Sequence, residues 1–466
     1  MVRTGIDRRR RALLGAIAAA AGLAGAGGWG RAADGSDRGP PMSRRRTAGA
    51  PPAPDFVVSD AGETARVLER DTGKRAFEGA PGAALRYAVD AGERSGSGTA
   101  IAVAPGTYDL DRTVPLASST WLAGSGSATT LRAGPSLDAD LLALPPGTEH
   151  ARVSELRLDG NRADNAGGAC LAVRGGTWRV VLERLVVRDG AGDGVRFEGG
   201  PDGAYSYEPT LADVDVARCG GDGFVFGYTG DLFATNLYAE ACEGYGFTLA
   251  DAGGTILHPH AYDTRGEAGI RLLESAKDTA LLAAHSEGNR RHGLLVKGER
   301  VTVRDGFVAN NSRDDPGAYS GVVLDGARHS RVAGSALVND DDRDRTQGHG
   351  LVETAASRDN RVTDNLFRGN LGAPVERESQ SNGSTYRHNR GYPTEGGGRA
   401  TVGDGGRVDH GLAGEPTRYW VQSTEPGTYA HVVAADRGHL TVEVLAVGTG
   451  RPPEGPVDVT WGAALE

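Results

Sequence analysis

The amino-acid sequence predicts an all-β solenoid, a parallel β-helix in which short strands stack coil upon coil. A glycine heads a short apolar strand seven times, at intervals of 23 to 29 residues, which is the spacing of a stacked repeat. Composition agrees: 72 of 466 residues are glycine and only 6% are aromatic, as many turns and short strands require. The seven glycines are Gly194, Gly223, Gly246, Gly269, Gly293, Gly321 and Gly350.

The first 33 residues are predicted to be an export signal. Arginines at positions 8–11 precede an uncharged apolar run at residues 12–26, which is the pattern of a secretory signal peptide. Paired arginines ahead of such a run are similar to a twin-arginine signal. An uncleaved N-terminal anchor is the alternative. We therefore expect a secreted protein with no membrane attachment after cleavage near residue 33.

Residues 34–54 are predicted to be a disordered linker, because Gly, Ser, Pro and Arg predominate there and apolar side chains are scarce. Without the first 33 residues the chain carries a net charge of −15. This negative balance argues against a nucleic-acid partner, which requires a basic face.

Residues 55–392 are predicted to form the β-helix. A short amphipathic helix at residues 83–91 can cover the open apolar end of the first coil, and successive coils are expected about 4.8 Å apart. Because side chains alternate along a strand, apolar residues of the glycine-headed strands should include the stacked core. These residues are Val195, Phe197, Phe224, Phe226, Phe247, Leu249, Ile270, Leu272, Leu294 and Val296.

The start of this region resembles a known superfamily. A helix is followed by a strand, by PGTYDL at 105–110, by a second strand and by LAGSGSATTL at 122–131. This order, with VSELRLDGNRADNAGG at 153–168, resembles the N-terminal part of the pectate-lyase-like right-handed parallel β-helices. That superfamily includes rhamnogalacturonases, epimerase-like proteins and phage tailspikes. The resemblance covers residues 80–390 and implies a right-handed β-helix that acts on polysaccharide.

The C-terminal part of the chain is predicted to be separate. Residues 393–411 are rich in glycine and are expected to be a linker, and residues 412–466 are expected to form a compact β module of four or five strands. A β appendage after a β-helix resembles the arrangement in tailspikes. The module can cap the helix, bind sugar or form a homotrimer.

The residue before each glycine is expected to lie in one row on one face, which we call the glycine-face row. Asp193 and Asp222 would be about 5 Å apart, close enough for one carboxyl to act as acid and the other as base. Glu267 lies one position earlier in its coil. The alternative is structural, because Asp before Gly is a common turn residue. The row consists of Asp193, Asp222, Tyr245, Ala268, His292, Ser320 and His349.

Two histidines of this row resemble functional histidines of the superfamily. Gly348-His349-Gly350 and Asp222-Gly223 match the position at which galacturonan hydrolases carry Gly-His-Gly and catalytic aspartates. The stretch GNRRHGLLV around His292 is similar to an Asn-x-Arg-His-Gly pattern of alginate C5-epimerases, and LHPHAYD at 257–263 is similar to a Pro-His stretch of the same enzymes. The resemblance implies that His292, with Tyr245 nearby, moves the C5 proton of a uronate. A solvated turn residue is the alternative.

Substrate contacts are expected beside this row. Arg265 and Arg291 can hold a uronate carboxylate through paired hydrogen bonds, and Tyr245 and Tyr319 are further candidates. Insertions at 198–209 and 312–320 are expected to form walls, since loops on a rigid scaffold often carry function. Ordinary surface arginines are the alternative.

An acidic loop is a possible calcium site. Asp340, Asp341 and Asp342 supply the oxygen ligands that Ca²⁺ prefers, and a charged surface loop is the alternative. Cys219 and Cys242 occupy equivalent positions of adjacent coils, within the distance that a disulfide spans. Two buried thiols are the alternative there, and Cys170 is expected to be free.

Together these observations predict a secreted carbohydrate-active protein. The expected activity is that of a polysaccharide lyase, a glycoside hydrolase or an epimerase on an acidic, uronate-containing polysaccharide. The alternative is a non-catalytic surface or tailspike-like protein that binds glycans. The choice depends on whether Asp222, Glu267 and His292 converge beside the insertion loops.

Overall fold

The computed structural model describes residues 53–96, 98–340 and 344–465. The predicted signal peptide, all but the last two residues of the predicted linker, and Asp341 and Asp342 of the acidic loop lie outside these ranges. Within them, no helix is both long enough and apolar enough to span a membrane.

The chain begins with a small antiparallel meander and one helix. Its elements are β1 (Phe56–Asp60), β2 (Ala65–Glu69), β3 (Arg75–Gly79) and α1 (Pro81–Ser95). Pro81 suits the first turn of a helix, and Gly96 ends α1 with a left-handed φ of 68°. Leu85 and Val89 of α1 are buried in the same core as the first coils. The predicted capping helix is therefore confirmed, and it is longer than predicted, with 15 residues.

The β-helix has about 11 turns. Its strands pair in parallel with the equivalent strands one coil away. In chain order they are β4 (Thr99–Val103), β5 (Gly106–Leu110), β6 (Val114–Pro115), β7 (Thr120–Ala133), β8 (Leu142–Leu144), β9 (Arg152–Asp159), β10 (Leu171–Arg174), β11 (Val181–Arg188), β12 (Val195–Glu198), β13 (Ser206–Tyr207), β14 (Thr210–Ala217), β15 (Phe224–Glu240), β16 (Phe247–Tyr262), β17 (Ala268–Leu272), β18 (Thr279–Leu282), β19 (His285–Glu287), β20 (His292–Val296), β21 (Thr302–Arg304), β22 (Phe307–Ala309), β23 (Val322–Leu324), β24 (Arg331–Ala333), β25 (Ala336–Val338), β26 (Leu351–Glu353), β27 (Arg361–Thr363), β28 (Leu366–Arg368), β29 (Val375–Arg377) and β30 (Thr385–Arg387).

Each coil contributes to three sheets. In one coil, β12 lies in the glycine-headed sheet. After the short β13, β14 bends at Asp213, so that its first part belongs to the second sheet and its last part to the third sheet. Asp213 has a φ of 55°, and a single residue in this left-handed region turns the chain sharply. The same bend recurs in neighbouring coils at Arg184, Asn236, His258, Ala283 and Asp305.

The core is a stack of apolar side chains from equivalent strand positions. All ten predicted core residues of the glycine-headed strands are buried, which confirms that prediction. Phe224 and Phe247, one coil apart, stack with ring centroids 4.9 Å apart. Because the first and third residues after each glycine face inward, the second residue faces outward. Arg196, Thr248 and Arg271 occupy this outward position.

The predicted disulfide between Cys219 and Cys242 is not formed, since all three cysteines are buried free thiols. The Sγ atom of Cys219 lies 3.8 Å from the carbonyl oxygen of Ala217, and that of Cys242 lies 3.6 Å from the carbonyl oxygen of Glu240. Each thiol thus contacts a carbonyl oxygen of its own strand, and the two thiols also contact each other. They therefore form a ladder of thiols, the structural alternative for these positions.

The C-terminal module holds six strands in two antiparallel three-stranded sheets. They are β31 (Glu395–Val402), β32 (Gly406–Asp409), β33 (Arg418–Ser423), β34 (Thr428–Ala435), β35 (His439–Ala446) and β36 (Val457–Ala464). The prediction of a linker at 393–411 is wrong, because β31 and β32 pair with β36 and β35. The glycines of β31 belong to a strand that passes Trp461: a Cβ atom at Gly398 would lie 3.5 Å from its Nε1 atom.

Candidate functional site

The glycine-face row is present in the register that the sequence predicts. The backbone N–H of Gly194 donates to the carbonyl of Asp222, and that of Gly223 donates to the carbonyl of Tyr245, both at 2.9 Å. Further along, Ala268 pairs with His292 across one coil. These contacts place successive members of the row side by side on the outside of the glycine-headed sheet.

The two aspartates of the row hold the backbone of the next coil. Oδ1 of Asp193 accepts the N–H of Asp222 at 2.8 Å, and Oδ1 of Asp222 accepts the N–H of Tyr245 at 2.9 Å. Oδ2 of Asp222 also accepts the hydroxyl of Thr248 at 2.6 Å. Burial raises the pKa of Asp193. Both carboxylates thus have the structural role that is common for Asp before Gly.

A cluster of ion pairs covers the coils before Asp193. Arg196 lies 3.6 Å from Oδ2 of Asp193 and 3.1 Å from Oδ1 of Asp140, and Arg174 lies 2.6 Å from Oδ2 of Asp140. Asp140 is buried and belongs to the same row, two residues before β8. The sequence analysis missed it because no glycine follows it. These arginines are already neutralised by carboxylates.

The middle of the row contains a cation on an aromatic ring. The guanidinium of Arg271 lies 3.7 Å from the ring centroid of Tyr245, and its Nε atom donates to Oγ1 of Thr248 at 3.3 Å. The Tyr245 hydroxyl lies 3.5 Å from Oε2 of Glu267, which is exposed. Because Thr248 is in turn bonded to Asp222, that aspartate helps to orient Arg271.

His292 follows in the next coil, and its hydrogen bonding determines its tautomer. The backbone N–H of Ser320 donates to Nδ1 at 2.9 Å. Nδ1 therefore carries the lone pair, and the neutral ring carries its proton on Nε2. Burial lowers the pKa of His292, which favours this neutral form. In this tautomer the ring presents Nε2–H as a proton donor, and the role of His292 in moving a C5 proton stays a prediction.

The predicted substrate residues divide into two groups. Arg265 lies 2.8 Å from Oε2 of Glu243. Its charge is therefore paired with a carboxylate that is not part of the row. By contrast, the guanidinium of Arg291 lies 5.7 Å from the ring centroid of Tyr319, which packs edge-on against His292 at 5.1 Å. The insertion at 312–320 thus brings Tyr319 to the row, as the sequence predicts for a wall.

His349 lies two coils beyond His292, about 10 Å away at the usual strand spacing. Its Nε2 atom is 3.0 Å from Oε2 of Glu376, and its Nδ1 atom is 3.2 Å from the carbonyl oxygen of Ala373. The structure thus does not bring His349 into contact with Asp222 or His292.

The acidic loop is described only at Asp340. Its Oδ2 atom accepts a hydrogen bond from Nδ2 of Asn310 at 3.3 Å, and its N–H donates to Oδ1 of the same asparagine. A calcium ion at this loop stays a prediction.

The insertion at 198–209 carries an aromatic surface that the sequence analysis did not single out. Tyr205 lies 6.1 Å from Tyr207 and 5.4 Å from Tyr228, measured between ring centroids. Trp178, which bridges to Tyr207 through its backbone, is 44% exposed, and Tyr207 is 50% exposed. Such flat, exposed rings can pack against the faces of sugars. The signal was available as AYSY at 204–207 one coil after Trp178.

A second polar cluster lies on the outside of the third sheet. His260 and His285, one coil apart, have parallel rings with centroids 4.1 Å apart, and Nε2 of His285 is 3.4 Å from Oε2 of Glu287. Burial lowers the pKa of His260 to about 3. The third sheet and the glycine-headed sheet are different faces, so LHPHAYD does not contribute to the glycine-face row. His285 and Glu287 were missed, although His-x-Glu on a strand places both side chains on one side.

Comparisons with known proteins concern the fold. No family model matches this chain, and no curated protein does. Among solved structures, the A-modules of the Azotobacter vinelandii mannuronan C-5 epimerases AlgE4 and AlgE6 are 19% and 20% identical, with TM-scores of 0.56 and 0.57. Each match covers 66% of this chain and 90% of the module. The enzymatically active domain of tailspike protein 2 from bacteriophage CBA120 is 12% identical, with a TM-score of 0.52, over 82% of this chain and 67% of that domain. These likenesses confirm the parallel β-helix.

Proposed function

We propose that the glycine-headed sheet binds an acidic, uronate-containing polysaccharide and acts on the proton at C5 of a uronate, by epimerisation or by β-elimination. The observation that carries this proposal is the group formed by Arg271, Tyr245, Glu267 and His292 in three successive coils. It combines a cation, an exposed carboxylate and a proton donor.

Arg271 is proposed to bind the uronate carboxylate. Removal of the C5 proton places negative charge on that carboxylate, and a fixed cation stabilises such charge in the transition state. Thr248 holds the Nε atom of Arg271, and Asp222 holds Thr248. This series of hydrogen bonds orients the guanidinium of Arg271. The Arg271 side chain remains 26% exposed and is therefore accessible to a ligand.

Glu267 and His292 are proposed to transfer the protons. Glu267 is the exposed carboxylate of the group and can accept the C5 proton. His292 presents Nε2–H, which can donate to the other face of the uronate or to the leaving oxygen. Tyr245 lies one coil before Glu267, and its hydroxyl, 3.5 Å from Oε2 of Glu267, can relay a proton to that carboxylate. Arg291 and Tyr319 are proposed to contact the neighbouring sugar.

Hydrolysis is less well supported. A glycoside hydrolase requires two carboxyl groups on opposite sides of the scissile bond, one of them a proton donor. Asp193 and Asp222 each use one oxygen for a backbone N–H, and Oδ2 of Asp222 also accepts the hydroxyl of Thr248. The two epimerase modules with a similar fold bear names that state action on mannuronan, a uronate polymer, which supports the choice of C5 chemistry.

The test is incubation with a panel of uronate polymers in D₂O. For epimerisation the proposal expects deuterium at C5 by NMR. For β-elimination it expects unsaturated ends detected by ultraviolet absorbance, because C5 of such an end carries no hydrogen. New reducing ends without C5 deuterium and without unsaturation would identify a hydrolase and refute the proposal. A Glu267→Gln variant should lose the exchange while retaining polymer binding.

A second candidate is non-catalytic glycan binding. The specific observation is the exposed aromatic surface of Trp178, Tyr205, Tyr207 and Tyr228. In the same coils as these tyrosines, the aspartates of the row accept backbone N–H groups. This candidate expects polymer binding without C5 exchange, and loss of that binding in Trp178→Ala. If Trp178→Ala binds and turns over polymer normally, the second candidate fails.

We also propose export by the twin-arginine route, on the basis of residues 1–33. A variant with lysines at positions 8–11 should accumulate inside the cell with the signal uncleaved. A homotrimer formed through the C-terminal module likewise stays a prediction. Light scattering of the purified protein gives the number of chains directly.

A further inference from the structure

We propose that His260, His285 and Glu287, the third-sheet cluster, bind a divalent transition-metal ion of the Zn²⁺ class. Within the part of the chain that the structure describes, this is the one group of three histidine, cysteine or carboxylate residues whose ligand atoms all lie within 4.8 Å of one another. The cluster shares no residue with the proposed polysaccharide site, and it lies on another sheet.

Strand geometry brings the three side chains together. His285 and Glu287 are two residues apart on β19, so both point to the outer side of the third sheet. His260 on β16 pairs directly with His285 across one coil. The site therefore draws on two adjacent coils, and an ion bound there would join them.

The distances suit a tetrahedral ion after a small movement. Zn²⁺ takes nitrogen and oxygen ligands at about 2.0–2.2 Å, which places two donors of a tetrahedron about 3.3–3.5 Å apart. Nε2 of His285 and Oε2 of Glu287 are already 3.4 Å apart. The rings of His260 and His285 are parallel, so His260 must tilt toward its neighbour before both lone pairs point at one ion.

The chemistry of the donor set also suits such an ion. Nε2 of His260 and Nε2 of His285 are buried and form no hydrogen bond, which is costly for a polar atom unless another partner is supplied. A metal ion is a partner for both atoms at once. Two imidazoles and one carboxylate suit zinc, copper, iron or nickel, whereas calcium prefers oxygen ligands alone. Three protein ligands leave a position for water or another small ligand.

The test uses the tag-free chain, freed of metal with EDTA and titrated with Zn²⁺ by calorimetry. We expect one ion per chain and a rise in the thermal midpoint. The nearly isosteric Glu287→Gln variant should weaken Zn²⁺ binding more than about tenfold, as should His285→Ala. His329→Ala removes an exposed histidine elsewhere and should bind like the wild type. Co²⁺ in place of Zn²⁺ should give the visible absorption of a four- or five-coordinate site.

Two results would overturn the proposal. One is the absence of binding in the wild type. The other is Zn²⁺ binding that Glu287→Gln and His285→Ala leave unchanged. If that binding is lost in Cys242→Ser, the ion is bound at a different site. Glu287→Gln preserves the shape of the side chain, so the variant is expected to fold. If its circular dichroism and its metal-free melting curve match those of the wild type, a loss of Zn²⁺ binding is due to the missing ligand and not to misfolding.

Discussion

The glycine-face row and the third-sheet cluster are both made of polar side chains one coil apart, yet they use their polar atoms differently. On the glycine-face row, Asp222 and His292 each accept a backbone N–H from the next coil. On the third sheet, His260 and His285 have Nε2 atoms that are buried and form no hydrogen bond. One arrangement is internally satisfied, and the other lacks partners that a ligand can provide.

This difference shows what stacking alone can achieve. A parallel β-helix places equivalent residues about 4.8 Å apart whatever their chemistry, so a row of acids or histidines is not in itself a site. Function depends on the atoms left over after the backbone has been satisfied. In and beside the glycine-face row these are Nε2–H of His292, the carboxylate of Glu267 and the partly exposed guanidinium of Arg271, whose Nη2 atom lies 3.8 Å from Oδ2 of Asp222.

The largest expected effect tests whether the leftover atoms of the glycine-face row are functional. Arg271→Ala removes the cation that is proposed to stabilise the developing charge, so kcat/KM for C5 exchange should fall about 10²–10³-fold. The measurement is deuterium incorporation under single-turnover and steady-state conditions.

Arg218→Ala is the matched control for this prediction. Arg218 is an exposed arginine paired with Asp189 at 2.8 Å, in the turn that follows β14. Equal losses in both variants, or no loss in Arg271→Ala, would contradict the proposed role of Arg271.

The next prediction concerns the carboxylate oxygens of the row that accept backbone hydrogen bonds. Asp222→Ala leaves the N–H of Tyr245 and the hydroxyl of Thr248 without their acceptor, so the free energy of unfolding should fall by about 2–3 kcal/mol. Asp222→Asn keeps Oδ1 as an acceptor and should cost about 1 kcal/mol or less. Urea denaturation of the three proteins measures both values. A similar cost for Ala and Asn would mean that charge, and not the backbone bond, is what Asp222 contributes.

The fold and the row were predictable because they follow from periodicity. The interval between glycines identified the solenoid, and all ten residues proposed for the core are buried. The same interval put Asp193 and Asp222 side by side. What it could not show was that Oδ1 of each points at a backbone N–H, since that depends on local chain direction and not on spacing.

The third-sheet cluster was missed for a related reason. Aligning the apolar strands at 256–261 and 280–285 by their first residues puts His260 opposite Ala284, whereas the hydrogen-bonded register puts it opposite His285. An error of one residue moves a side chain to the other face of a strand. The sharp bends at His258 and Ala283 interrupt the alternation that would have corrected the register.

A smaller effect is the pH dependence that His292 adds. The pKa of His292 is lower in the folded state than in the unfolded state, where it is about 6.5. Between these two pKa values, the unfolded chain therefore binds more protons than the folded chain. The contribution of His292 to stability is complete above about pH 6.5 and is lost as pH falls, by at most about 1.4 kcal/mol per pH unit. The groups around the ring are Glu267, Arg291 and Tyr319.

His292→Asn, which keeps an acceptor for the N–H of Ser320, isolates this contribution. Measured without metal by urea denaturation from about pH 7.5 to about pH 5, the wild type should lose more stability than this variant. The other histidines titrate equally in both proteins, so the difference belongs to His292. Parallel curves would show that protonation of His292 does not disturb the row.

The smallest expected effect has the opposite sign and belongs to the third sheet. His260→Phe replaces an imidazole whose Nε2 forms no hydrogen bond with an apolar ring of similar shape, which can still pack against Tyr238 and His285. Removing an unsatisfied buried polar atom should raise the free energy of unfolding of the metal-free protein by about 1 kcal/mol. With Zn²⁺ in excess the order should reverse, because only the wild type gains from binding. If His260→Phe is destabilised without metal, then Nε2 is already satisfied, and the contrast between the two faces does not hold.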